Sequence, residues 1–211
     1  MTLQAGTPRI AVIDYGIGNL RSAEKALQRV GADATLTSDQ AVIQSADAVV
    51  LPGVGNFGRC MEALHDAGLA QVTIDAARDE RPFLGICVGM QMLFDGSDES
   101  PEQPGLGILP GRVVLLPDGV KRPQMQWNPI TASVDHPLAS QLVDHWMYFV
   151  HSYAVLETEA SLATCDYGGE MVAIAGRDTI IATQFHPEKS GQAGLDFLRN
   201  FVEQIPVGAP A

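Results

Sequence analysis

The sequence predicts an α/β fold, a central largely parallel sheet flanked by helices with an additional β-rich region in the second half. Three observations carry this expectation. Short apolar runs alternate with amphipathic stretches through the first half, as in a parallel sheet covered on both faces. Several of those runs break into glycine-containing turns, and beyond Pro104 the texture changes to β-type runs.

The elements follow in order. Residues 9–13 are the first candidate strand, and beyond the loop at 14–18 Leu20, Ala23, Leu27 and Val30 recur at helical spacing, with Gly31 as the stop signal. Residues 46–51 form a strong strand ending in Pro52-Gly53, and two helical stretches between 56 and 79 are broken near Gly68. Residues 82–86 read as a buried strand with Cys87 at its end and a helix over 88–94 behind it. In the second half the β-type runs are 113–116, 146–155 and 171–174, with Arg177-Asp178 as a hairpin turn into 180–185. Leu195, Leu198, Val202 and Ile205 make the inner stripe of a last helix. Neither repeat nor linker divides the chain, so one domain is expected over 1–211, with its core at about 9–203 and loose ends at 1–8 and 206–211.

Composition narrows the class of function. A net charge of -12 argues against nucleic acid as the principal partner, since such binding rests on neutralising phosphates with Lys and Arg. The 211 residues contain no apolar run long enough to span a membrane and no export signal at the N-terminus. The three cysteines, Cys60, Cys87 and Cys165, are odd in number and lack metal-ligand spacing, which favours a reducing cytoplasmic location and calls for no metal. Four acidic residues between 95 and 102 read as a solvated loop.

Three segments carry chemistry. Gly85-Ile86-Cys87-Val88-Gly89, between a buried strand and a helix, describes a nucleophile elbow in which glycines two residues either side leave room for a sharp turn. The helix behind it presents N–H groups and a dipole that favour thiolate over thiol, which matters because an ordinary thiol titrates near ~8.5. By itself this pattern fits a buried structural cysteine as well as a nucleophile, and the structural role is the reading for Cys60 and Cys165. Phe185-His186-Pro187-Glu188 supplies a base, and the two-residue step lets Glu188 reach the far nitrogen of the His186 ring. His65, His136, His145 and His151 lack such company and read as structural. Leu51-Pro52-Gly53-Val54-Gly55 is a strand end whose backbone N–H groups near Val54 and Gly55 can meet an oxyanion, with the Val88 N–H as second donor. Gly16-x-Gly18 after the first strand mimics a dinucleotide fingerprint, but Arg21 stands where the third glycine belongs, so nucleotide binding is rejected.

Together these segments resemble the class I (triad) glutamine amidotransferases. The residues at 14–22, 51–55, 85–91, 148–153 and 184–190 are similar more narrowly to the branch that forms the glutaminase subunits of imidazole glycerol phosphate synthases in histidine biosynthesis, over about 9–203. The resemblance implies hydrolysis of L-glutamine to glutamate and ammonia by Cys87, His186 and Glu188, without a cofactor. It also implies a (β/α)8-barrel cyclase subunit as partner, which receives the ammonia and makes imidazole glycerol phosphate and an aminoimidazole carboxamide ribotide. Glutamine hydrolysis is then weak until the partner carries its ligand. By position Gly53, Gly55 and Gln91 hold the glutamine, Ser152 and Tyr153 close the pocket, and Asn19, Trp127, Tyr148 and Lys189 face the partner. Gln126 stands where that branch usually has glycine. Rival readings are the same chemistry serving another synthase, a catalytically silent binding subunit, and a stand-alone hydrolase of γ-glutamyl peptides.

Overall fold

The computed structural model describes residues 6–18 and 20–206. The sheet is built around three strands that are buried along their whole length. In order the chain forms β1 (Arg9–Ile13), α1 (Leu20–Arg29), β2 (Asp33–Thr37), α2 (Gln40–Ser45), β3 (Ala48–Gly53), α3 (Phe57–Asp66), α4 (Ala70–Arg78), β4 (Phe83–Cys87) and α5 (Val88–Met92). The second half adds β5 (Gly96–Ser97), β6 (Arg112–Leu115), β7 (Gln124–Pro129), β8 (Thr131–Ala132), β9 (Trp146–His151), β10 (Tyr153–Ala154), β11 (Ser161–Asp166), β12 (Glu170–Arg177), β13 (Ile180–Thr183) and α6 (Gly191–Glu203).

Eight strands make the main sheet in the order β2-β1-β3-β4-β13-β12-β11-β8. The first five are parallel neighbours, and β12, β11 and β8 continue antiparallel. Every residue of β3, β4 and β13 is buried, which is why these segments read as continuous apolar runs. The α1 stripe buries Leu20, Ala23, Ala26 and Leu27. Burying a leucine completely, as at Leu27, contributes roughly 1.5–3 kcal/mol. Because β3, β4 and β13 are parallel, their carboxyl ends emerge together at one edge, where open α/β sheets bind ligands.

The structure differs from the sequence reading in instructive places. The strand expected over 46–51 runs on through Pro52 and Gly53, because Gly53 keeps register with Cys87 on β4. The helix expected over 88–94 ends at Met92, and the hairpin turn lies one residue later than expected, since Arg177 still pairs with Ile180. The segment at 95–102 is not simply a solvated loop. Gly96 and Ser97 are buried in β5, Asp98 pairs with Arg112 at 2.6 Å, and Glu99 turns inward to accept the Phe57 N–H at 2.7 Å. The orphan donors of the α3 N-terminus draw that carboxylate in. Of the ends expected to be loose, residues 1–5 and 207–211 lie outside the described residues. No helix among the described residues is long and apolar enough to cross a membrane.

Candidate active site

Cys87 ends β4 with φ 55 and ψ -112, a backbone conformation that non-glycine residues rarely adopt. Such strain, of order ~1–3 kcal/mol, persists only where the surroundings enforce it. Here the enforcement is tight packing between two strand ends. A side chain at Gly89 would overlap the Leu51 carbonyl, one at Gly53 would lie 2.6 Å from the Gly89 nitrogen, and one at Gly85 would press 3.1 Å from the Met90 backbone. Gly89 and Gly53 are therefore steric necessities, and Gly85 is closely packed.

His186 follows β13, and its Nδ1 lies 2.8 Å from Glu188 Oε1. Its backbone is fixed twice over: the His186 N–H donates to the Tyr148 carbonyl at 3.0 Å, and the His186 carbonyl accepts from Ser190 Oγ at 2.7 Å. Burial opposes the imidazolium, but the neighbouring Cys87 sulfur and the Glu188 carboxylate outweigh it and raise His186 to about 9. Its Nε2 has no hydrogen-bond partner among the described residues, and the ring lines the same cavity as Cys87.

The end of β3 and the loop after it are anchored by their carbonyls. Tyr15 Oη donates to the Pro52 carbonyl at 2.7 Å, and Cys60 Sγ donates to the Val54 carbonyl at 3.4 Å. Burial raises the pKa of both Tyr15 and Cys60, so both keep the protons they donate. A trans peptide sets its N–H opposite its C=O, so the Gly55 N–H points away from Cys60. Gly55 itself takes φ 94, which glycine alone adopts without strain.

These elements surround a cavity of about 360 Å³. Val54, Gly55, Cys87, Val88, Gln91, Ser152, Tyr153, His186 and Lys189 line it, as do Glu99, Pro123, Val150 and His151, which the sequence did not single out. Gly53 and Glu188 stand just behind, beside a smaller cavity they share with His186. Gln91 Nε2 donates to the Tyr153 carbonyl at 2.8 Å and to Gln184 Oε1 at 3.0 Å. His151 is buried, and its Nδ1 donates to the same Tyr153 carbonyl at 2.9 Å. Burial drives its pKa down to about 4, so the ring is neutral. No sequence signal marks His151, because its buried cross-strand partner, Gln124, sits on a strand that only the pairing reveals.

That ribbon is β7 paired with β9. Its outward face carries Met125 (61% exposed), Trp127 (45%) and Trp146 (58%), with Tyr148 edge-on to Trp127 at 5.9 Å. Large apolar side chains gathered on one face mark an interaction surface. Gln126 does not disturb it, since its side chain donates to Asn128 Oδ1 at 2.7 Å and Asn128 donates on to the Asp166 carbonyl. Asn19 lies outside the described residues. The described residues hold no cluster of His, Cys, Asp and Glu fit for a metal, and all three cysteines are free and buried.

Comparison with known proteins agrees with this geometry. A family model described as glutamine amidotransferase class-I matches residues 11–205. The imidazole glycerol phosphate synthase subunit HisH of Methanothermobacter thermautotrophicus is 51% identical over 197 residues, covering 93% of this chain and 98% of that protein. The subunit of the same name from Synechococcus elongatus is 48% identical over 208 residues, covering 95% of each. Among solved structures, one described as a glutamine amidotransferase superposes with a TM-score of 0.72 at 20% identity, over 90% of this chain and 98% of that one. The PurLQS structure from Thermotoga maritima superposes at 0.74 and 17%, over 95% and 100%, and these two likenesses concern the fold. With a match across nearly its whole length and relatives at such identity, the chain belongs to the class-I glutamine amidotransferases.

Proposed function

We propose that this chain is the glutaminase half of an imidazole glycerol phosphate synthase, working in the cytoplasm as one domain and passing ammonia to a (β/α)8-barrel cyclase subunit. The observation that carries the reading is Cys87, held at positive φ in one cavity with a His186 that is itself paired to Glu188. The relatives named as HisH direct that chemistry to imidazole glycerol phosphate synthesis.

In this mechanism the Cys87 thiolate attacks the side-chain amide carbon of glutamine. The N–H groups of Val54, Gly55 and Val88 receive the oxyanion, and His186 gives its proton to the leaving ammonia. Water then cleaves the γ-glutamyl thioester, with His186 taking the water proton and Glu188 holding the ring. Gly53 supports the loop. Both amide hydrogens of Gln91 are committed to Tyr153 and Gln184, so its carbonyl oxygen is left to accept from the substrate amide. Glu99, the one carboxylate among the described residues that line the cavity, suits the α-ammonium group, and Ser152 and Tyr153 line the same cavity. The apolar ribbon with Trp127 and Tyr148 suits the partner, and Lys189 lines the neighbouring cavity.

The test is glutamate release from glutamine with the barrel cyclase and its nucleotide ligand present. The parent chain turns over under these conditions, while Cys87→Ser folds, binds the cyclase and releases no glutamate. Normal turnover by Cys87→Ser sinks the assignment. Turnover at full rate without any partner points instead to a stand-alone hydrolase.

A further inference from the structure

We propose that Gln184 is a further catalytic residue, donating a side-chain N–H to the Cys87 sulfur in an orientation that Gln91 imposes. The inference deepens the reading of Cys87 as nucleophile and rests on it.

Gln184 follows directly on β13, two residues before His186, and is fully buried. Its backbone N–H donates to the Ala173 carbonyl at 2.9 Å, which fixes the start of the side chain. An amide side chain can present either its oxygen or its nitrogen, and that choice decides the chemistry. Here a backbone group makes the choice. The Tyr153 carbonyl has no hydrogen to give, so the Gln91 atom 2.8 Å away must be its NH2. The same NH2 lies 3.0 Å from Gln184, so the Gln184 atom facing it must be the acceptor oxygen. What remains of Gln184 is its own NH2, which points at Cys87 Sγ from 3.8 Å, within the range of a hydrogen bond to sulfur. The chain of donors therefore runs one way, from Gln91 through Gln184 to the sulfur, and starts at a carbonyl that His151 also engages.

An N–H aimed at a sulfur is worth more when the sulfur is negative, because charge-assisted hydrogen bonds exceed neutral ones about twofold. In a dry site that difference favours the thiolate before attack and again as the thioester is released. Gln184 makes and breaks no covalent bond. Its donor meets the sulfur and not the substrate oxygen, so its role is distinct from that of the oxyanion N–H groups.

The experiment measures the alkylation of Cys87 by iodoacetamide across pH, which needs neither glutamine nor partner. In Gln184→Met, close in shape and without a donor, the alkylation profile shifts to higher pH by about one unit, the scale of one hydrogen bond to a charged group. Gln184→Glu still accepts from Gln91 yet carries no N–H for the sulfur, and shifts further the same way. Parental profiles in both folded variants overturn the inference. Should neither variant fold, the parent chain decides: the NMR signal of the Gln184 side-chain NH2 moves over the pH range in which alkylation rises, and a signal that stays still overturns it. Glutamate release by Cys87→Ser sinks the nucleophile itself, whereas unaltered alkylation in the Gln184 variants sinks only this inference.

Discussion

Nδ1 of His186 and Oε1 of Glu188 are 2.8 Å apart, and the two side chains are only 1% and 6% exposed. Against the effect of burial, the nearby Cys87 sulfur and then this pairing raise the histidine to about 9. A histidine whose folded value lies above its unfolded one stabilises the fold fully below about pH 6.5, and that contribution is lost as pH rises through about 9. Glu188→Gln weakens the pairing and so makes the alkaline decline in stability shallower. Urea unfolding at several pH values between about 6 and 9.5 checks this, and a decline as steep as the parent's contradicts it.

His151 behaves in the opposite sense. Burial lowers its folded value to about 4, so between about pH 6.5 and 4 the unfolded chain binds the extra proton and stability falls as pH falls. Replacing the ring by an isosteric group without a basic nitrogen, as in His151→Phe, removes part of that acid sensitivity. The same change costs the hydrogen bond to the Tyr153 carbonyl, so KM for glutamine rises. Melting temperatures at about pH 5 and 7.5, alongside steady-state kinetics, read both effects.

The backbone of Cys87 separates strain from chemistry. With φ 55, Cys87→Ala keeps the strain and Cys87→Gly releases it. The glycine variant is expected to be more stable than the alanine variant by roughly 1 kcal/mol, although both are inactive. Equal urea midpoints for the two would show that the elbow is relaxed.

Gly89→Ala places a methyl group against the Leu51 carbonyl, with backbone on both sides and nothing flexible to yield. A loss of more than ~3 kcal/mol is expected, together with loss of glutamine turnover, because β3 and α5 must separate to admit it. Gly31→Ala is the comparison: its φ of 104 is strained, but nothing lies within 4 Å, so it is milder and leaves turnover intact.

On the outward ribbon, Trp127→Ala is expected to weaken binding of the barrel cyclase by about 2 kcal/mol, or roughly thirtyfold, as an aromatic anchor in an interface does. Calorimetric titration of the two subunits measures it. Unchanged affinity would place the docking face elsewhere.

Much of this was legible in the sequence for a physical reason. The strands β3 and β4 are buried on both faces and show it as unbroken apolar runs, and the glycine at 89 is required by a backbone contact that admits no side chain, with Gly85 tightly packed beside it. The histidine and its carboxylate are two residues apart, so their pairing is local. What was hidden depends on partners far along the chain. The strand β7 alternates polar residues with exposed apolar ones and exists through its pairing with β9. Glu99 looked like one of four solvated acids until the α3 N-terminus, 42 positions away, claimed it. Gln184 read as the tail of a strand, because its meaning comes from Gln91 and Cys87, both more than ninety residues away.

The backbone of Tyr148 holds the His186 N–H, while its side chain stands beside Trp127 on the opposite side of the same strand. On the proposed function, one strand would therefore belong to two binding events. By linkage, any shift of that strand that tightens glutamine on docking tightens docking by the same factor when glutamine is bound. On the proposed reading, substrate abundance would then be a term in subunit assembly, and the fraction of this chain held in complex would rise and fall with the nitrogen supply it consumes.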